Sequence, residues 1–139
     1  MTEVFLDSSY AIALSSAKDT HHLKALDFAQ KFQSAPARIV TTEPILFEIG
    51  NALSQMRHRQ AAVNLIESIE QDTHIEVVVC SQDLFRRAVD LFQSRYDKDW
   101  GLTDCFSFVV MEDRGITDAL TADHHFQQAG YRALLLEHD

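Results

Sequence analysis

The chain has 139 residues, of which 46% are apolar and 24% charged, with a net charge of −9. That length and balance fit one domain over 1–139. No run of about 18 apolar residues exists to span a membrane, and no basic, apolar leader precedes Glu3 and Asp7. The sign of the charge excludes a broadly cationic nucleic-acid binder, because phosphate contacts draw on Lys and Arg, unless the acids are gathered where cations neutralise them.

Val4-Phe5-Leu6 is a short apolar run that reads as a buried strand, and Ser8 or Ser9 caps a helix from Tyr10 to Ala17. Asp19 or Thr20 opens a second helix, with Leu23, Leu26, Phe28 and Phe32 at helical spacing on its apolar face. Arg38 to Thr41 reads as the second strand. Thr42 resembles an N-cap with Pro44 in the first turn, and the helix runs on through Ile49 to Met56. Ala61 to Glu70 forms another helix, with Val63, Ile66 and Ile69 inward. Ile75 to Cys80, rich in β-branched residues, is the clearest strand. Ser81 caps a helix carrying Leu84, Phe85, Ala88, Leu91 and Phe92. After a polar loop over 96–101, Leu102 or Thr103 opens a helix that ends at Gly115. Ala119 to Thr121 is a short strand, Asp123 to Ala129 a short helix, and Arg132 to Leu136 a last strand. Strands alternating with helices imply an α/β domain: a three-layer α/β/α sandwich on a mostly parallel central sheet. Cys80 and Cys105 stand far apart in apolar settings and read as buried, reduced thiols, which sets the expectation of a cytoplasmic protein.

In such sheets ligands bind beyond the carboxyl ends of the strands. Asp7 ends the first strand, inside an otherwise apolar run, and Asp123 follows the fourth. Glu48 lies early on the helix after the second strand, between Phe47 and Ile49, and Asp104 lies in the first turn of its helix. Each acid has a plain alternative: Asp7 and Asp123 as helix caps, Asp104 as a complement to the helix dipole, Glu48 as an exposed helix residue. If all four converge, two charges about 4 Å apart cost roughly 4 kcal/mol at an effective dielectric near 20. Oxygen-only ligands with open positions suit Mg²⁺ or Mn²⁺, and such cations support in-line displacement at phosphorus.

The stretches FLDSSYAIAL, EPILFEIGNAL, WGLTDCFSFVVMEDRGI and ALTADHHFQQAGYRALL resemble, over essentially the whole chain, the PIN-domain ribonucleases, and among them the VapC-type toxins of toxin–antitoxin pairs. The resemblance implies a parallel α/β/α fold and Mg²⁺- or Mn²⁺-dependent hydrolysis of RNA. It matches Asp7, Glu48, Asp104 and Asp123 to the family's acids, with Thr121 as the hydroxyl before the last and Ser8 or Ser9 beside the first. It also implies an antitoxin protein and a homodimer, for which the apolar helices from Ile45 to Ile69 are candidate surfaces. Glu43 competes with Glu48, and Asp97 and Asp99 compete with Asp104; Asp118 adjoins the fourth strand at the wrong end.

The pairs His21-His22 and His124-His125 read as surface histidines, with His124 or His125 at the rim of the site, because adjacent helical residues point about 100° apart. Arg57-His58-Arg59 reads as a solvated complement to a helix end, or as an RNA contact; Lys98 is a second candidate for phosphate. Three functions stay open on these residues. They are a metal-dependent endoribonuclease, a catalytically silent module of the same fold, and a haloacid-dehalogenase-type phosphatase. The last normally carries a second Asp two residues after the first, where this chain has Ser9.

Overall fold

Residues 2–138 are described in a computed structural model. Val4, Phe5 and Leu6 are buried on both sides within β1 (Glu3–Leu6), as expected for a strand covered by helices on each face. The chain continues through α1 (Ser8–Ser15), α2 (His22–Ser34), β2 (Arg38–Thr42), α3 (Glu43–Ala52), α4 (Met56–Gln71), β3 (Ile75–Val78), α5 (Gln82–Ser94), α6 (Leu102–Arg114), β4 (Asp118–Leu120), α7 (His124–Gln128) and β5 (Arg132–Ala133).

The five strands form one sheet in the order β3-β2-β1-β4-β5, and every pairing is parallel. Register is fixed by pairs such as Phe5 with Val40 and Leu6 with Leu120. Crossovers between parallel strands are right-handed almost without exception, which with this strand order assigns α1–α4 to one face and α5–α7 to the other. The strand order reverses at β1, which pairs with β2 on one side and β4 on the other. A crevice opens at the carboxyl end of that switch point.

The core joins both faces. Phe5, Ile45, Ile49, Met111, Leu120 and Phe126 are among its fully buried side chains. Phe126 lies 6.1 Å from Phe5 and 5.0 Å from Phe108, the latter contact edge-on, and Trp100 meets Phe108 edge-on at 5.0 Å. Among the described residues no helix is long and apolar enough to cross a membrane.

Several local expectations change. The helix after β2 ends at Ala52 and the next begins at Met56, not Ala61. Thr42 caps α3 as expected, accepting from the Ile45 N–H at 3.2 Å, and Ser81 caps α5, accepting from the Leu84 N–H at 3.1 Å. On α2 it is Ala25 that is buried, while Leu23 is 80% exposed. Val63, Phe85 and Phe92 are exposed, whereas Ile69 and Ala88 are buried as expected and Ala62 fills a further inward position. The last strand stops at Ala133, and Leu134–Leu136 close as a 3₁₀ turn whose Leu135 N–H donates to Thr121 O at 3.1 Å. Cys105 is buried, but Cys80 lies beyond the end of β3 and is exposed, contrary to the expectation for both thiols.

Candidate active site

The backbone delivers four carboxylates to one place. Asp7 leaves the end of β1, its N–H donating to Leu120 O at 3.2 Å. Asp123 follows β4, Glu48 projects from α3, and Asp104 sits in the first turn of α6. Together with Ser8, Ser9, Asn51 and Ala52 they line one open cavity of about 330 Å³. Of the competing acids, none lines this cavity. Glu43 accepts from the Cys80 N–H at 2.7 Å, Asp97 pairs with Arg95 at 3.0 Å, and Asp118 opens β4 at its amino end and pairs with Arg132 at 3.3 Å. Asp99 is exposed in the loop.

Asp7 stands at the N-cap position of α1 but makes no side-chain cap. It is 4% exposed, and its Oδ2 accepts from the Thr121 hydroxyl at 2.7 Å and the Ser9 hydroxyl at 2.9 Å. Thr121 is itself fully buried, and its Oγ1 accepts from the Asp123 N–H at 3.0 Å. Ser9 Oγ accepts from the Ala122 N–H at 2.9 Å. The loop after β4 and the start of α1 are thereby tied into one scaffold around the first acid. Across the cavity, Ser8 donates to Glu48 Oε1 at 2.9 Å. Of the two capping alternatives, the one for Asp7 fails and the one for Asp123 holds, its Oδ1 accepting from the His125 N–H at 2.9 Å; Asp104, read as a dipole complement, also accepts from the Gly101 N–H through Oδ2 at 3.0 Å.

The electrostatics separate this cavity from the rest of the surface. Elsewhere acids meet arginines: Glu76 is held below its ordinary range by Arg114 and Arg38, and Asp113 by Arg87. Among the described residues, none of the four cavity acids has an arginine partner. Burial raises Asp7 and Asp104, and it pushes Glu48 up to about 7 against the opposing Ser8 hydrogen bond, with Asp7, Asp104 and Asp123 adding repulsion. A cavity that disfavours its own negative charge is suited to a cation, and the four acids with two hydroxyls and the Asn51 amide supply oxygen donors.

The sign of the pH effect follows. Glu48 titrates higher in the folded chain than its ordinary 4.5, at about 7. Its protonated form therefore favours the fold, a gain complete below the ordinary value and lost as pH rises toward 7. Glu48→Gln is expected to melt higher than the wild type at pH 8 without metal and close to it at pH 4.5. Thermal melts at the two pH values check this, and an equal offset at both contradicts it.

The other candidates fall outside the cavity. Arg57 and Arg59 are exposed in the first turn of α4, where their charge opposes the helix dipole, so the reading as a dipole complement fails. Arg59 donates to Ser54 O at 2.8 Å and Arg57 to His58 at 3.2 Å. Lys98 lies 3.7 Å from Asp97 and lines a separate cavity of about 420 Å³ with Tyr96, Trp100 and Cys105. The histidine pair divides: His124 is exposed, whereas His125 turns inward, its Nδ1 3.1 Å from Asp123 Oδ1 and 3.3 Å from Asp104 Oδ2. Pair spacing alone hid this; the signal was that His125 directly precedes the fully buried Phe126. Asn51 is a further lining residue, one turn beyond Glu48 on α3.

A parallel α/β/α sheet with an acid cluster at its switch point defines a class of α/β domain. Within that class the chain belongs to the PIN-domain family, whose model matches residues 4–130. It is similar to the 23S rRNA-specific endonuclease VapC20 of Mycobacterium tuberculosis, at 28% identity over 128 residues, covering 92% of this chain and 95% of that one. The crystal structure of Mycobacterium tuberculosis VapC20, a sarcin–ricin-loop-cleaving toxin, superposes with a TM-score of 0.82 at 27% identity, covering 94% of this chain and 97% of that one. DNA-bound VapBC from Salmonella typhimurium shares the fold, with a TM-score of 0.66 at 15% identity over 95% and 96% of the two chains.

Proposed function

We propose that the chain is a divalent-cation-dependent endoribonuclease of the VapC toxin type. The observation that carries this reading is the meeting of Asp7, Glu48, Asp104 and Asp123 in one cavity, without arginine partners among the described residues. The likeness to an rRNA endonuclease supports the choice of RNA as substrate.

The four acids would hold one or two Mg²⁺ or Mn²⁺ ions. Bound there, the cation supplies Lewis-acid activation of water and charge neutralisation at the scissile phosphate. The chain's own residues fix the geometry. Thr121 and Ser9 orient Asp7, and Ser8 orients Glu48. Burial of Asp7 and Thr121 gives that scaffold a rigid base, as a preorganised site requires. Purified protein is expected to cut RNA, ribosomal RNA first, with Mg²⁺ and to stop with EDTA, leaving 5′-phosphate ends. Undiminished cleavage in EDTA contradicts the metal requirement, and cation binding with no cleavage of any RNA would make the chain a silent member of the family.

Arg57 and Arg59 are proposed to contact the RNA backbone. They stand exposed, without a carboxylate partner among the described residues, a few residues beyond Asn51 and Ala52 on the cavity wall. Replacing both by Gln is expected to lower RNA affinity and reduce the slope of log K against log salt by about 1.4, at roughly 0.7 per phosphate contact on a single strand. Salt-series binding measurements read this, and an unchanged slope counts against both contacts. Lys98 is a weaker candidate, since it borders the neighbouring cavity. An antitoxin and a second copy of the chain are proposed partners. Phe47 and Met56, 73% and 83% exposed, leave apolar surface on α3 and α4 for such contacts.

A further inference from the structure

Among the described residues, His124 and His125 each bring an imidazole nitrogen toward Asp123, and His125 comes closer and also faces Asp104. The His125 Nδ1 is shut off from solvent and has no hydrogen-bond partner, although Asp123 Oδ1 and Asp104 Oδ2 lie only 3.1 and 3.3 Å away. At those distances neither contact is a well-aligned hydrogen bond, although both oxygens are close enough to interact with the ring. An unpaired buried polar atom is costly and calls for an explanation. Neighbouring ligands of a six-coordinate cation show the same spacing: with bonds of about 2.1 Å at right angles, adjacent donor atoms lie about 3 Å apart. The ring is held in this pose by its own backbone, because the His125 N–H donates to Asp123 Oδ1 and the next residue, Phe126, is anchored in the core. His124 does not share the arrangement, being exposed with its Nδ1 3.9 Å from Asp123.

We propose that His125 Nδ1 is a nitrogen ligand of the cation held by Asp104 and Asp123, and that it makes this position select a first-row transition ion over Mg²⁺. This rests on the cation-binding reading given above. Oxygen donors alone discriminate weakly between Mg²⁺ and Mn²⁺, whereas imidazole is a poor partner for Mg²⁺ and a good one for transition ions. Selectivity is thus assigned to the side of the cavity formed by α6 and α7, while Asp7 and Glu48 supply oxygen only.

Mn²⁺ is the probe. Pulsed electron paramagnetic resonance on the metal-free protein with less than one equivalent of Mn²⁺ is expected to show coupling to an imidazole nitrogen. His124→Gln should keep that coupling and His125→Gln should lose it. Competition titrations should show Mn²⁺ held about tenfold or more tighter than Mg²⁺ in the wild type, with the ratio shrinking by about tenfold in His125→Gln. Bound Mn²⁺ without nitrogen coupling in the wild type, or coupling that disappears in His124→Gln, overturns the assignment and leaves the cation site standing. Absence of any Mn²⁺ binding overturns both. The wild-type spectrum and His124→Gln decide the matter even where His125→Gln folds poorly.

Discussion

Asp104→Asn is expected to lower RNA cleavage by about a hundredfold to a thousandfold while making the metal-free protein melt at a higher temperature. The first effect follows from removing one of the groups that hold charge at the reacting phosphate. Losing a single preorganised electrostatic contact of this kind costs on the order of 10²–10³ in rate. The second effect follows from the cavity itself. Burial disfavours the Asp104 carboxylate, with repulsion from Asp123 added, and only the Gly101 amide and His125 oppose this. Asn keeps an oxygen for the Gly101 N–H, now at 3.0 Å from Asp104 Oδ2, and so keeps the start of α6 intact. The charge goes and the cap stays. Single-turnover cleavage assays and melts in EDTA read the two quantities on the same samples. A variant that loses both activity and stability would make Asp104 a structural residue, and a variant with full activity would remove it from the site.

Phe126→Ala is expected to cost about 3–5 kcal/mol of stability, the range for truncating a buried aromatic, and to lower the melting temperature by roughly 10 °C or more. Phe126 is fully buried between Phe5 on β1 and Phe108 on α6. Asp7 directly follows β1, Asp104 lies on α6, and Phe126 itself lies on α7, just past Asp123. One ring therefore packs three of the four acid-bearing segments together. Phe126→Leu keeps most of the volume and is expected to lose less than about 1.5 kcal/mol. Denaturant unfolding of both variants distinguishes this packing role from mere local bulk: equal losses for Ala and Leu would contradict it.

Much of this was legible in the sequence because the signals were local. Val4-Phe5-Leu6 and Ile75 to Cys80 announce strands by composition, the latter pairing only as far as Val78, and Thr42-x-Pro44 and Ser81 announce helix starts by chemistry that acts within one turn. Asp7 stood out because an acid inside an apolar run needs a reason. What the sequence hid was set by distance along the chain. The break between α3 and α4 at 53–55 carries neither Gly nor Pro, so periodicity ran through it and placed Arg57 and Arg59 at the wrong end of a helix. The inward faces of α2 and α5 are filled by the small residues Ala25 and Ala88 where helices pack closely, which left Leu23 and Phe85 outside despite their hydrophobicity. Leu134 to Leu136 read as strand by composition, yet β5 ends at Ala133, where pairing with β4 stops. His125 joins the acids only because residues 104 and 123 are brought together from different elements, a contact no spacing rule reports.

The proposed joint action of the four acids as a cation site is tested most directly by calorimetric titration of Mn²⁺ into the metal-free protein. Saturable binding of one or two ions is expected in the wild type, weakened at least tenfold in each of Asp7→Asn, Glu48→Gln, Asp104→Asn and Asp123→Asn. Binding that none of these substitutions changes, or no binding at all, would contradict it.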